Sequence, residues 1–247
     1  MFRKELAELA LDFTVSVAPD PTVPLRLNPL QEEAFLRGKL SERYETSGRG
    51  PGVVSTGKGD AGGVSYGSYQ FSSKRGVVQE FLKADGAKWQ RNFVNLDPAI
   101  PNGKFGITWQ QIARQEPKPF FLAQHSYVEK NYYDRQTKLI SKKTGIDINT
   151  RSRAVQEAVW STAVQQGQFS SAVVNAVRRL NNANRSSEDF DERLINAIYD
   201  ERSKIDKDGN LAYFKNSALD VQAGIKLRYV NERQDALEIL RKSQLNR

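Results

Sequence analysis

Residues Ser41–Ser73 read SERYETSGRGPGVVSTGKGDAGGVSYGSYQFSS, and this stretch decides how the rest of the chain is read. Between Gly48 and Gly67 lie nearly half of the 17 glycines of the chain, with Glu45 before them and Asp60 among them. Glycine is entropically costly to order, so a cluster this dense marks backbone that needs positive φ or leaves room for close approach. Valines, Ser65, Tyr66 and Tyr69 alternate with turn residues, which predicts two or three short strands in a hairpin or small sheet. Gly59-Asp60-Ala61-Gly62-Gly63 would form its turn.

Working outward, Asn28-Pro29-Leu30-Gln31 is a helix start: Asn28 can cap, Pro29 suits the first helical position and Gln31 completes a capping box. The helix is expected to run to Tyr44 or Glu45, with Leu36, Leu40 and Tyr44 inward and Gly38, Ser41 and Glu45 on a neighbouring face. Before it, residues 1–13 predict a short amphipathic helix, and Pro19, Pro21 and Pro24 make 14–27 an extended linker. The chain is therefore expected to divide into an N-terminal extension or linker over 1–27 and a folded domain over 28–247.

Downstream the pattern is helical. Helices are expected over 76–84, 108–115, 120–143, 152–165, 170–181, 188–203 and 217–242. A second capping box at Thr108 opens one of them, Pro117 and Pro119 stop it, and Gly145 and Gly167 end two others. Phe121, Val128, Tyr132 and Leu139 form one predicted inward stripe, and Val221, Ile225, Tyr229, Leu237 and Leu240 another. The fold class is α+β, mostly helical, with one small glycine-rich sheet beside a helical core.

Composition narrows the chemistry. With 38% hydrophobic, 10% aromatic and 27% charged residues the chain is globular, and no run is long enough to insert in a membrane. Glu8 and Asp12 interrupt the apolar stretch near the start, so no signal peptide is expected. The absence of cysteine excludes disulfides and thiolate chemistry, and the single histidine, His125, excludes a multi-histidine metal centre. His125 is read as a packing or surface residue, because no nucleophile-elbow pattern accompanies it. Asp206-Lys207-Asp208-Gly209-Asn210 lacks the spacing of a calcium loop and reads as a turn. No metal and no cofactor is expected. The formal charge of +8 favours polyanionic partners. No nucleic-acid motif accompanies it, and Arg178, Arg179 and Arg185 are read as solvated helix surface.

Chemistry must then rest on carboxylates, hydroxyls and amides. A carboxyl at a helix end backed by Tyr44 can be kept protonated by desolvation and serve as a general acid, while one on a polar hairpin stays ionised and activates water or stabilises positive charge. Those are the two roles that glycosidic cleavage needs. Ser55, Ser65, Tyr66, Tyr69 and Gln70 supply groups suited to sugar hydroxyls and acetamido groups. The competing reading is structural: Asp60 bracing a turn and Glu45 ending a helix in solvent.

The run Glu45-Thr46-Ser47-Gly48, Pro51, Val54-Ser55, then Gly59-Asp60-x-Gly62-Gly63-x-Ser65-Tyr66-Gly67-x-Tyr69-Gln70, resembles the active-site segment of the lysozyme superfamily. More closely, it resembles the chitosanase-like peptidoglycan hydrolases found as phage endolysins and as effector domains on type VI secretion spikes. Ala154–Gly167 is similar to the core helix of that group. The resemblance implies a lysozyme-like fold, a muramidase acting on the glycan strand of bacterial peptidoglycan, Glu45 as general acid and Asp60 as second carboxylate. The glutamate of true chitosanases lies further upstream, which would point to Glu42. Glu45 is preferred because it begins the Glu-Thr-Ser-Gly run. Action on the wall in the periplasm or outside the cell would then need delivery by a phage tail or secretion spike, and an immunity protein is a further expected partner. A chitosanase, a lytic transglycosylase and a non-catalytic wall-binding module of a phage tail stand as alternatives.

Overall fold

The small sheet forms because hydrogen bonds close where the glycine-rich stretch meets its first aromatics. In the computed structural model, which describes residues 37–40, 50–58, 62–181 and 183–245, strands β1 (Ser65–Tyr66) and β2 (Phe71–Ser72) pair antiparallel, with Tyr66 opposite Phe71. A third segment joins through a bridge between Val54 and Tyr66, held by Ser55 N–H to Ser65 O at 2.9 Å and Gly67 N–H to Val53 O at 2.7 Å. The expected sheet is thus present. Its tight turn, however, is Gly67–Gln70, between β1 and β2, while residues 59–61 of the expected turn lie outside the described residues.

Helices follow: α1 (Val77–Lys83), α2 (Lys104–Gln115), α3 (Pro117–Val128), α4 (Asp134–Thr144), α5 (Arg153–Gln166), α6 (Ala172–Arg179), α7 (Phe190–Arg202) and α8 (Leu219–Leu245). A 3₁₀ turn over Ala87–Phe93 buries Trp89 and Phe93. The described residues are therefore α+β and mostly helical. None of their helices is long and apolar enough to cross a membrane.

Several expected boundaries moved for identifiable reasons. Helix α2 begins at Lys104 behind Gly103, four residues before Thr108, because Phe105 and Trp109 must share one buried face. Pro117 opens α3 at its first position instead of stopping α2, since its missing N–H costs nothing there. The run from Pro117 to Thr144 is interrupted by a π turn over Glu129–Tyr133. Its buried positions are Phe120, Gln124, His125, Tyr127 and Val128, then Tyr133, Gln136, Thr137 and Ile140; of the predicted stripe Val128 is buried, while Phe121, Tyr132 and Leu139 are half-buried beside Phe120, Tyr133 and Ile140. On α8 the buried positions are Gln222, Tyr229, Glu232, Ala236 and Leu240, whereas Val221 is half exposed, because buried polar partners await Gln222 and Glu232.

Helix α5 is the axis of the fold. Nine of its side chains are buried, from Ala154 to Ala163. Ser152 caps it by accepting from Val155 N–H, and Gly167 closes it at φ +86°. Helices α4, α6, α7 and α8 pack on it. Beneath the sheet, Tyr66, Phe81, Phe93, Phe105, Trp109 and Phe120 form a continuous aromatic wall, with neighbouring centroids as close as 4.4 Å for Phe93–Phe105 and 4.6 Å for Trp109–Phe120. Contacts of this kind each add about 0.5–1.5 kcal/mol beyond area burial.

A buried charge cluster ties three helices together. Arg202 of α7 and Glu232 of α8 are both fully buried and meet at 3.0 Å. Arg202 also donates to Ser161 and to Gln165 of α5, and its guanidinium lies over the Tyr229 ring at 4.3 Å.

Candidate functional site

The turn between β1 and β2 needs glycine at one place in particular. Gly67 sits at φ +76°, and a Cβ there would run into the Gln124 side-chain amide. Gln124, fully buried on α3, accepts from Ser68 N–H at 3.0 Å and donates to Pro51 O at 3.1 Å. One amide therefore clips the hairpin to the chain that leaves residues 41–49. Trp109 Nε1 adds a second bond to Pro51 O at 2.8 Å.

At the turn's end Gln70 takes a left-handed φ of +52°, stabilised by its own Nε2 donating to Gly67 O at 2.9 Å. Its Oε1 is left as the acceptor. Tyr69 is buried, with its hydroxyl 2.8 Å from His125 Nδ1 and its ring against Phe71, Phe121 and Trp160. Ser55 and Ser65 brace the sheet: Ser55 Oγ accepts from Ser65 N–H at 2.8 Å. Tyr66 is a core residue whose hydroxyl donates to Pro98 O at 2.8 Å. Burial, with Asp97 adding to it, pushes the Tyr66 hydroxyl up to about 12.

Tyr69 and Gln70 open onto a pocket of about 270 Å³ between the hairpin, α1, the π turn and the end of α5. Valines 77, 128 and 164 form its apolar part, and Arg75, Tyr132 and Gln165 its polar part. Ser65, Tyr66 and Ser55 do not line it. The structure thus brings together two of the five hydroxyl and amide residues expected to meet substrate and places the other three in the scaffold.

Glu45, Asp60 and Glu42 lie outside the described residues. What is described is how the chain enters and leaves the segments that carry them. Gly38 adopts φ +87° in a turn at 37–38 from which helix begins at Lys39, so the helix expected from Asn28 is broken at Gly38 in its described part. A Cβ on Gly38 would stand 2.5 Å from Trp160 Nε1. The buried Glu157 of α5 accepts from Gly38 N–H at 3.0 Å, from Leu40 N–H at 3.1 Å and from Arg153 at 2.8 Å. A carboxylate is thereby capping the start of the helix that leads into residues 41–49. Burial raises the Glu157 carboxyl, while Arg153 and those N–H groups favour its ionised form. Arg37 anchors the same turn through Gln156 at 2.7 Å and Glu129 at 2.8 Å. At the other segment, Gly62 O accepts from Ser72 Oγ at 2.6 Å and from Lys74 N–H at 3.1 Å.

His125 is packed, as expected of it, stacked on Trp160 at 4.8 Å. Burial depresses its pKa to about 4, with Lys39, Arg153 and Arg37 adding to the effect. Among the described residues no group of acids and histidines could hold a metal ion. The loop Asp206–Asn210 is a turn, with Asp206 Oδ1 accepting from Asp208 and Asn210 N–H. Of the basic side chains read as solvated surface, Arg179 pairs with the buried Glu201 and Arg185 donates to Thr144 O at 3.0 Å.

Sequence reasoning passed over Gln124, Glu157, Gln165 and Arg75. Glu157 had a signal, the one acid of a helix, with Ala154, Val155, Ala158 and Val159 around it. Gln124 had none, because its partners are main-chain atoms distant in sequence.

Residues 37–233 match the family described as type VI secretion system spike protein VgrG3-like, C-terminal. Over 164 residues the chain is 39% identical to the type VI secretion system spike protein VgrG3 of Vibrio cholerae serotype O1 (strain ATCC 39315 / El Tor Inaba N16961). That likeness covers 64% of this chain and 16% of the relative, so the chain spans only a small part of the relative's length. With most of its residues matched, the chain belongs to the VgrG3-like C-terminal family of type VI secretion system spike proteins.

Proposed function

We propose that this chain is a glycoside hydrolase that cuts the glycan strand of bacterial peptidoglycan, as a muramidase with a lysozyme-like fold. Glu45 is the general acid that protonates the glycosidic oxygen. Asp60 is the second carboxylate, which activates water or stabilises the developing positive charge. Family membership supports delivery by a type VI secretion spike, with the wall reached from the periplasm or outside the cell and an immunity protein as a further partner. The catalytic domain in this reading begins near Asn28, behind the extension over 1–27.

The observation that carries the reading is the anchoring to one frame of the described residues that flank both acid-bearing segments. Glu157 and Trp160 of α5 fix the turn at Gly38 that precedes residues 41–49, and Gln124 binds Pro51 after them to the hairpin that flanks residues 59–61. Such a frame suits a pair of carboxylates that must keep a set separation. Tyr69 and Gln70 are the substrate-binding members of the hairpin, at the 270 Å³ pocket, while Ser55, Ser65 and Tyr66 hold it in shape.

Purified cell walls should lose turbidity with the wild-type chain and not with Glu45→Gln or Asp60→Asn proteins of unchanged circular dichroism. Full activity in both variants would overturn the assignment. Mass spectrometry of the released fragments separates the enzyme classes: a reducing muramic acid end marks a muramidase and an anhydro end a transglycosylase. Sedimentation with walls but no soluble fragments would mark a binding module.

A further inference from the structure

The pocket beside Gln70 holds a pattern that sugar recognition alone does not require. Arg75 is the one charged side chain among its described lining residues, it is exposed, and it has no carboxylate partner among the described residues. Its charge reaches Tyr132, whose hydroxyl pKa burial raises and Arg75 lowers. That hydroxyl has no hydrogen-bond partner among the described residues and stays protonated, hence a donor.

The third group is Gln165. Its Oε1 is used twice, by Arg202 at 2.8 Å and by Tyr229 at 2.8 Å, so only the Nε2 donor is left over. The buried Arg202 therefore fixes which end of the Gln165 amide is available. A guanidinium, a phenol and an amide N–H make a set of donors beside the Gln70 Oε1 acceptor, while two further lining oxygens are already engaged, Ser72 Oγ by Arg75 N–H and Gln166 Oε1 by Ser170 Oγ. Glu80, the carboxylate near Tyr132, accepts from Tyr127 at 3.1 Å and does not line the pocket. The valines opposite suit methyl groups.

We propose that this pocket binds the carboxylate of an acidic muramyl peptide, with Arg75 as the charged contact and Tyr132 and Gln165 as neutral donors. The inference rests on the peptidoglycan reading above: the short peptides on the glycan strand carry both the carboxylate for Arg75 and the alanine methyls for the valines. It makes Arg75 a specificity determinant that distinguishes peptide-bearing strands from bare glycan, through a charge-assisted and geometrically matched contact.

Calorimetric titration of the full chain with N-acetylmuramoyl-L-alanyl-D-glutamate needs no bond to be cut. The acid form should bind, and amidating its carboxylates should weaken binding roughly tenfold, which corresponds to about 1.4 kcal/mol. Arg75→Gln should weaken the acid form by a similar factor and leave the amidated form unchanged, with Arg75→Lys between. Equal affinity of wild type and Arg75→Gln for the acid form, or no binding to wild type, would overturn the proposal. Wall turbidity measured in parallel keeps the two readings apart. Arg75-dependent binding without lysis would sink the hydrolase and leave this site standing, and lysis with a flat titration would do the reverse.

Discussion

Protonating His125 would put a positive charge beside Lys39, Arg153 and Arg37 in a space it fills with the Trp160 ring. Its Nε2 has no hydrogen-bond partner among the described residues to share that charge. The folded state therefore holds it neutral down to about pH 4, whereas the unfolded chain protonates near 6.5. Nothing is lost above that value. Below it the unfolded state binds the proton first, so stability should fall between pH 6.5 and 4 by about 3 kcal/mol, then level off. Urea denaturation of wild type and His125→Gln at pH 7 and pH 4.5 checks this: the wild type should lose more than the variant, and parallel losses would refute it. At this scale the sequence spoke unevenly. It offered Ser65 and Tyr66 as hydroxyls, but the side of the sheet each faces is set by pairing with Ser72 and Phe71, which a string of residues does not display.

Between helices the decisive contact is α5 with the turn at Gly38. A left-handed backbone, a carboxylate cap and an indole face meet there, so Gly38→Ala is expected to cost about 2–4 kcal/mol through strain and collision with Trp160. Wall-lysis rate should drop further than folding alone explains, since the turn leads into residues 41–49. Thermal melts and lysis of the same preparation provide the comparison, and an unchanged melting temperature would show that Trp160 yields. Helix existence was legible from apolar spacing, and α5, α6, α7 and α8 lie within a few residues of their expected ranges. Boundaries failed where tertiary demands outweighed local signals, as when Trp109 and Phe105 drew α2 past its apparent capping box at Thr108. The glycine cluster announced a tight hairpin. Which glycine makes the tight turn followed from Gln124, a partner on a different helix.

Across the whole molecule, the junction of α5, α7 and α8 is electrostatic at its centre. Removing one member there should harm far more than removing both. Glu232→Ala leaves Arg202 buried without its carboxylate and is expected to destabilise by about 3–5 kcal/mol, while Arg202→Leu/Glu232→Leu should cost less. Denaturant titration of the three proteins gives the ordering, and a double variant worse than the single would contradict it. The glutamine at the pocket rim shares this cluster, so the global fold and the polarity of one small recess depend on the same guanidinium. Long-range arrangements of this sort were invisible beforehand, because neither Arg202 nor Glu232 breaks the pattern of an ordinary surface helix. The π turn at Glu129–Tyr133 has a different bearing. It works like a shift in reading frame: α3 and α4 are joined along one run but count their inward positions from different origins. Side chains on α3 that grip the hairpin can consequently be rewritten without disturbing the row by which α4 meets α6, so the hairpin end and the helical end of the domain are free to diverge separately.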